Sequence, residues 1–180
     1  MKYIIYDIEA TCWHGQPPSR QTETIEIGAY LLNDYGEAED KFSTFIKPSV
    51  SPYLSTYCMN LTGITQLQID RAKLFPTVIE EFQDWFEIND DDYVLCSWGG
   101  FDKKQLKQDC KFHRISSDWL DYHIDMKTQY AKMKRMHFEP GLLKTVELEN
   151  FNFDGPQHRA IADAFNLAKI FKRYLGDWKI

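Results

Sequence analysis

The chain has no hydrophobic run approaching the ~20 apolar residues that a membrane-spanning helix needs. That absence predicts a protein without a membrane partner. Cysteine is sparse, and the four present (Cys12, Cys58, Cys96 and Cys110) form neither a C-x-x-C pair nor a Cys/His cluster with zinc-finger spacing. Reduced, mostly buried thiols are the expectation. The first residues run straight into a strand-like segment without a charged and then apolar leader, so the sequence predicts a cytoplasmic protein. Long basic tracts are also missing, and the formal net charge is −6. Tight, non-specific gripping of duplex phosphates is therefore not expected. An acidic total remains compatible with phosphate chemistry where carboxylates hold metal ions, because the ions reverse the local sign.

What is present is a large apolar complement, 43% of 180 residues with 15% aromatic, enough for one well-packed core without disulfides. No composition break divides the chain, so residues 1–180 read as a single domain. Lys2 to Ile8 is almost wholly β-branched or aromatic and reads as a buried strand. Thr24 to Leu32 and Lys41 to Ile46 are two more strands, and the turn residues Asn33-Asp34-Tyr35-Gly36 join them in an antiparallel hairpin. From Pro48 to Pro76 short helices and turns are expected. Val78, Ile79, Phe82, Trp85 and Phe86 mark an amphipathic helix from Thr77 to Phe86. Tyr93 to Ser97 is a short buried strand, Phe101 to Phe112 a helix with Leu106 and Cys110 inward, and His123 to Met126 a further strand. Helices over Leu142 to Leu148 and Ala160 to Tyr174 close the chain. The expected fold is a mixed α/β sheet of about five strands, the first three antiparallel, flanked by helices.

Asp7 and Glu9 stand two residues apart at the end of the first strand, where alternation puts both on one face. Two carboxylates in such a buried strand repel unless a cation neutralises them, and an ion with oxygen ligands such as Mg²⁺ or Mn²⁺ is the simplest remedy. Near the other end, Gly155-Pro156 breaks the chain before His158-Arg159-Ala160-Ile161-Ala162-Asp163. Five positions in a helix rotate about 140°, so His158 and Asp163 meet at one point only if His158 lies in the loop and Asp163 in the helix. A mobile imidazole beside a fixed carboxylate suits a base next to a metal ligand. Asp102 falls where the fourth strand passes into a helix, a common place for sites in α/β sheets and equally a place for a helix cap.

Asp7, Glu9, Asp102 and Asp163, with His158 ahead of the last acid, match the pattern of the DEDDh exonucleases, which have a ribonuclease-H-like fold. Four blocks in order carry this resemblance: Asp7 to Cys12 (DIEATC), Leu61 to Thr65 (LTGIT), Ser97 to Lys104 (SWGGFDKK) and Asp154 to Ala164 (DGPQHRAIADA). They are similar to the branch that holds the histone-mRNA 3′ exonuclease and bacterial KapD-like proteins. The inserted Gly99-Gly100-Phe101 in the third block leaves Asp109 as the fallback for Asp102. The resemblance implies a metal-dependent 3′–5′ exonuclease acting on the 3′ end of single-stranded nucleic acid, RNA favoured over DNA, and releasing nucleoside 5′-monophosphates. It implies two divalent cations, Mg²⁺ or Mn²⁺, held by Asp7, Glu9, Asp102 and Asp163. Glu9 and His158 are the catalytic pair, with His158 the general base.

Trp13, Met59, Leu61, Trp98 and Phe101 lie in or beside these blocks as candidates to sandwich a base. Thr11 and Thr62 are candidates for the sugar, and Lys103 for a phosphate. Each apolar member reads equally as core packing, except Trp13, which precedes the polar His14-Gly15-Gln16 and is expected at the surface. Glu26 in TIEIG reads equally as a neighbour of the site and as a paired strand glutamate. Lys127, Lys132, Lys134 and Arg135 read equally as a backbone-tracking stretch and a solvated helix face. The alternatives are a catalytically silent regulator on the same fold, binding nucleic acid or protein, and an endonuclease of the ribonuclease H type.

Overall fold

The computed structural model describes residues 1–15, 21–90 and 92–180. Gln16, at the end of the polar segment after Trp13, lies outside them. Six strands, in the order β4-β3-β2-β1-β5-β6, form one sheet. β1 (Lys2–Ala10), β2 (Thr24–Leu32) and β3 (Ala38–Lys47) are antiparallel, as the alternating residues and the hairpin sequence predict. Asn33 makes the turn: its side-chain oxygen accepts the backbone N–H groups of Tyr35 and Glu37 at 2.9 and 3.0 Å. β5 (Tyr93–Ser97) and β6 (His123–Asp125) run parallel to β1 and complete the expected set. The sixth strand, β4 (Lys73–Leu74), corrects the count of about five. Both its residues are exposed, so no hydrophobic pattern announces it.

The helices are α1 (Thr56–Thr62), α2 (Gln66–Asp70), α3 (Phe75–Trp85), α4 (Phe101–His113), α5 (Met126–Met133), α6 (Leu142–Leu148) and α7 (Ala160–Arg173). Of these, α5 falls where the basic stretch reads equally as a solvated helix face. Asp125 caps it, accepting from the Thr128 N–H at 2.9 Å. Among the described residues no helix is long and apolar enough to cross a membrane.

The central strand β1 is buried on both faces. Ile4, Tyr6 and Ile8 of β1 join the core under α3, with Val78, Ile79, Phe82 and Phe86. Ile5 points the other way, into a second core with Val94, Val146, Leu167 and Phe171. Asp7 and Glu9 continue the Ile5 side of the strand, which places them on the face that α7 covers.

Gly28 sets how closely α7 approaches. It is the partner of Asp7 in the β1–β2 ladder, and a methyl group there would lie 2.1 Å from the Ile161 nitrogen. Only a residue without a side chain admits the first turn of α7 at this distance. Gly28→Ala is expected to cost ~1–3 kcal/mol of stability. It should also depress whatever activity depends on Asp163, because the start of α7 must lift away from β1. Melting curves and rate measurements on the variant check both effects.

Candidate active site

Four acids and one histidine, from β1, α4, α7 and the loop before α7, converge at one end of the sheet. Glu9, His158 and Asp163 each offer a donor atom, and these atoms lie within 4.8 Å of one another. His158 stands exposed in the loop, and Asp163 is in the first turn of α7, the arrangement the spacing required. Asp163 accepts a hydrogen bond from the His158 backbone, which ties the two residues together directly.

Asp102 approaches from the other side. It lies in the first turn of α4 and is 5% exposed. Its Oδ1 accepts the N–H of Ile8, the residue between Asp7 and Glu9, at 3.3 Å. The N-cap position of α4 belongs to Gly100, without a side-chain cap, so Asp102 is not simply a capping residue. Asp109 is used elsewhere: it binds the Thr24 N–H at 3.0 Å and hydroxyl at 2.6 Å, and Gln105 at 3.1 Å, anchoring α4 to β2. The fallback assignment therefore falls away.

The electrostatics record the crowding. Burial, then repulsion from Asp102, Asp163 and Glu9, pushes the Asp7 carboxyl well above the usual carboxylate range. Burial, followed by repulsion from Asp163 and Glu26, lifts Glu9 to about 8. Burial lifts Asp102 to about 7 against the hydrogen bonds from its own backbone, Ile8 and Ser97. It lifts Asp163 to about 6 against the bond from His158. A set of carboxylates that resist ionisation because they face one another is what a divalent cation relieves, and all the donors are hard oxygen or imidazole nitrogen. The residues fit such a group.

Beside Glu9 a mainly apolar cavity of about 350 Å³ opens, walled by Thr11, Cys12, Trp13, Leu61 and Phe101. Trp13 is half-buried, while Phe101 is 57% exposed with no apolar core to cover it. Of the proposed base contacts, Trp13, Leu61 and Phe101 thus line this cavity. Met59 packs instead into the small core of Ile25, Cys58 and Ile64. Trp98 is a correction: its ring lies 5.7 Å from that of Tyr130 and its N–H donates to the Pro140 carbonyl, so it braces β5 against α5. Thr62 is another, since its buried hydroxyl donates to Cys58 and accepts from Ile64 to close α1. Thr11 lines the cavity, but its hydroxyl accepts the Glu23 N–H at 3.0 Å. Lys103 donates to the Asp121 carbonyl at 3.4 Å rather than toward the acids. A larger depression of about 450 Å³, near Tyr93 and Trp119, shares no residue with the acidic cluster.

Glu26 proves to be both things its sequence allowed. It pairs with Glu9 across the ladder and holds Arg159 in an ion pair of 2.9 Å. Arg159 and Asn166 were missed as site-building residues. A charged residue in a strand that is otherwise buried signals a partner, but that partner lies 133 positions away.

The chain belongs to the exonuclease family, whose sequence model matches residues 4–171. Within that family it is a DEDDh member. It is 32% identical to the nuclease domain of 3′hExo, a DEDDh family member solved bound to rAMP, with a TM-score of 0.87 over 98% of this chain and 92% of that one. A 3′-exonuclease solved for its 3′-end specific recognition of a histone mRNA stem-loop is 31% identical, with a TM-score of 0.91 over 99% and 84% of the two chains. The 3′-5′ exoribonuclease 1 of Homo sapiens is 33% identical across 96% of this chain. The alignment covers 52% of that protein, so the chain spans about half the length of this relative.

Proposed function

We propose that the protein is a 3′–5′ exonuclease that removes nucleotides one at a time from the 3′ end of single-stranded nucleic acid, RNA favoured, and releases nucleoside 5′-monophosphates. The observation that carries this reading is the convergence of Asp7, Glu9, Asp102 and Asp163 with His158, in which Glu9 also lines an apolar cavity. The preference for RNA rests on the similar proteins, an exoribonuclease and a nuclease domain bound to rAMP.

Asp7, Glu9, Asp102 and Asp163 would hold two divalent cations, Mg²⁺ or Mn²⁺. When bound, these supply positive charge against the phosphate oxygens and against charge developing on attack. His158, exposed in the loop before α7, accepts the proton from the water that attacks the terminal phosphodiester. Trp13, Leu61 and Phe101 sandwich the terminal base by stacking and apolar contact, which ignores base identity.

The test is incubation of the protein and of His158→Ala with Mg²⁺ or Mn²⁺ and short 5′-labelled RNA and DNA strands. Stepwise shortening from the 3′ end with release of mononucleotides is expected, stopped by a chelator and slowed ~10²–10⁴-fold in His158→Ala. Binding without cleavage would establish a silent regulator instead, and internal fragments an endonuclease.

A second expectation concerns stability. The folded values of Glu9, Asp102 and Asp163, about 8, 7 and 6, exceed their ordinary 4.5, 3.8 and 3.8. For a raised value, the contribution to stability is fully present below the ordinary value and is lost as pH rises through the folded one. Without divalent cations the melting temperature should therefore fall between pH ~4 and ~8. At roughly 2–4 °C per kcal/mol for a chain of this size the fall is several degrees. Added Mg²⁺ or Mn²⁺ should raise it more at the upper end of that range than at the lower, which differential scanning calorimetry reads directly.

A further inference from the structure

Glu26 is a buried charge on β2 beside Glu9 that the placing of the four acids and His158 leaves unused. It is 1% exposed, and two consecutive residues, Arg159 and Ala160, donate to its carboxylate. Arg159 donates through Nε at 3.3 and 3.2 Å and through Nη2 at 2.9 Å, and the Ala160 backbone N–H donates at 3.1 Å. These residues follow His158 immediately. His158 is itself a non-glycine residue in the left-handed region, with φ 58°, a conformation that persists only where its surroundings enforce it. On the upstream side, Asn166 binds the backbone of Asp154 in both directions at 3.0 and 2.9 Å. The histidine is thus a pivot at the end of the short exposed stretch 155–158, which lies between two fastened points, Asp154 and Arg159.

We propose that Glu26 is a positioning residue: by gripping Arg159 and Ala160 it fixes the pivot that aims the His158 ring at Glu9 and Asp163. The inference rests on the reading of His158 as general base. Two details favour a clamp over a plain helix cap. A cap needs only the bond from Ala160, whereas the two-point grip on the guanidinium adds orientation that a single contact lacks. Arg159 also lies over the ring of Phe45, 5.3 Å from its centre, so the fork is held from a second direction. The pairing has a further consequence. It occupies the carboxylate nearest Glu9 on β2, so that Glu26 stays with Arg159 instead of joining the cluster.

A double-mutant cycle tests this. Glu26→Gln keeps the shape and an acceptor for Ala160 but gives up the ion pair. On short single-stranded RNA its kcat should fall roughly tenfold to a hundredfold, while KM stays within about twofold because the base cavity is untouched. In a His158→Ala background the same substitution should cost nothing further. An equal loss in that background would show that Glu26 acts through the general fold and would overturn the proposal. So would an unchanged kcat in Glu26→Gln beside a crippled His158→Ala. Full activity in His158→Ala would sink the general-base reading, a separate failure. Should Glu26→Gln melt below the assay temperature, Arg159→Lys takes its place, since it keeps the charge and loses the fork. A second readout needs no cation: the His158 ring signals in NMR of the metal-free protein should broaden or multiply in Glu26→Gln, and unaltered signals would overturn the clamp.

Discussion

Asp7→Asn is expected to change rate and stability in opposite directions, lowering exonuclease turnover by roughly a thousandfold or more and raising the melting temperature of the metal-free protein. The asparagine side chain has nearly the same shape, so the packing around β1 is preserved and the change is one of charge. Asp7 is ringed by protein and repelled by Asp102, Asp163 and Glu9. Ionising it in the absence of a counter-ion works against the fold, and an amide removes that opposition. With cations present the balance reverses. On the proposed function the carboxylate would then be a ligand whose loss forfeits several kcal/mol of charge stabilisation, and each 1.36 kcal/mol is about tenfold in rate. Calorimetry in chelator and in Mg²⁺, combined with turnover on labelled RNA, separates the two effects. A variant that melts lower in chelator yet retains its rate would mean that the Asp7 carboxylate serves only the fold.

That reversal explains which parts of the site could be read from residues alone. Alternation in a strand is a rigid rule, so Asp7 and Glu9 were assigned to one face, and the structure puts them on the face covered by α7. The break at Gly155-Pro156 makes a loop His158 and a helical Asp163 the condition for their meeting, and the structure meets it. The family resemblance puts Asp102 ahead of Asp109, where helix geometry alone does not separate them. Seven positions apart, they share a face of α4 but sit about 10 Å apart along its axis. Which of them meets β1 depends on where the helix crosses the sheet. The structure gives Asp102 to Ile8 and Asp109 to Thr24. The base contacts were the least legible. Trp13, Leu61 and Phe101 wall the cavity while Met59 and Trp98 pack inward, because apolar side chains carry no mark of which surface they cover. The short β4 escaped for the opposite reason: two exposed residues pair with β3 only because the chain ahead of α3 passes there. The helix α5 is one of two equal readings of its basic stretch, and the Asp125–Thr128 cap is the signal that decides between them.

Glu149→Ala is expected to destabilise the protein by about 3–5 kcal/mol, the usual result of removing one member of a buried charged network. Glu149 is 4% exposed. It accepts the Tyr130 hydroxyl at 2.6 Å, the Tyr174 hydroxyl at 2.7 Å, Arg173 at 2.9 Å and Lys134 at 3.0 Å. One side chain thereby joins the end of α6 to α5 and α7, and Lys134 of the basic stretch is engaged in doing so. Burial pushes this carboxyl up, but the four donors outweigh it and hold it at about 2. For a lowered value, the stabilisation is present above the ordinary 4.5 and is lost as pH falls through about 2. The acidic cluster behaves in the contrary way, losing stability as pH rises through about 6, 7 and 8. The metal-free protein should therefore be most stable between these arms, with different residues responsible for each. Urea midpoints measured against pH in chelator should show that Glu149→Ala flattens only the acid arm. Asp7→Asn should flatten only the alkaline one, because the two carboxylates are built into separate networks on the same face of the sheet, and a variant that altered both arms would contradict that separation.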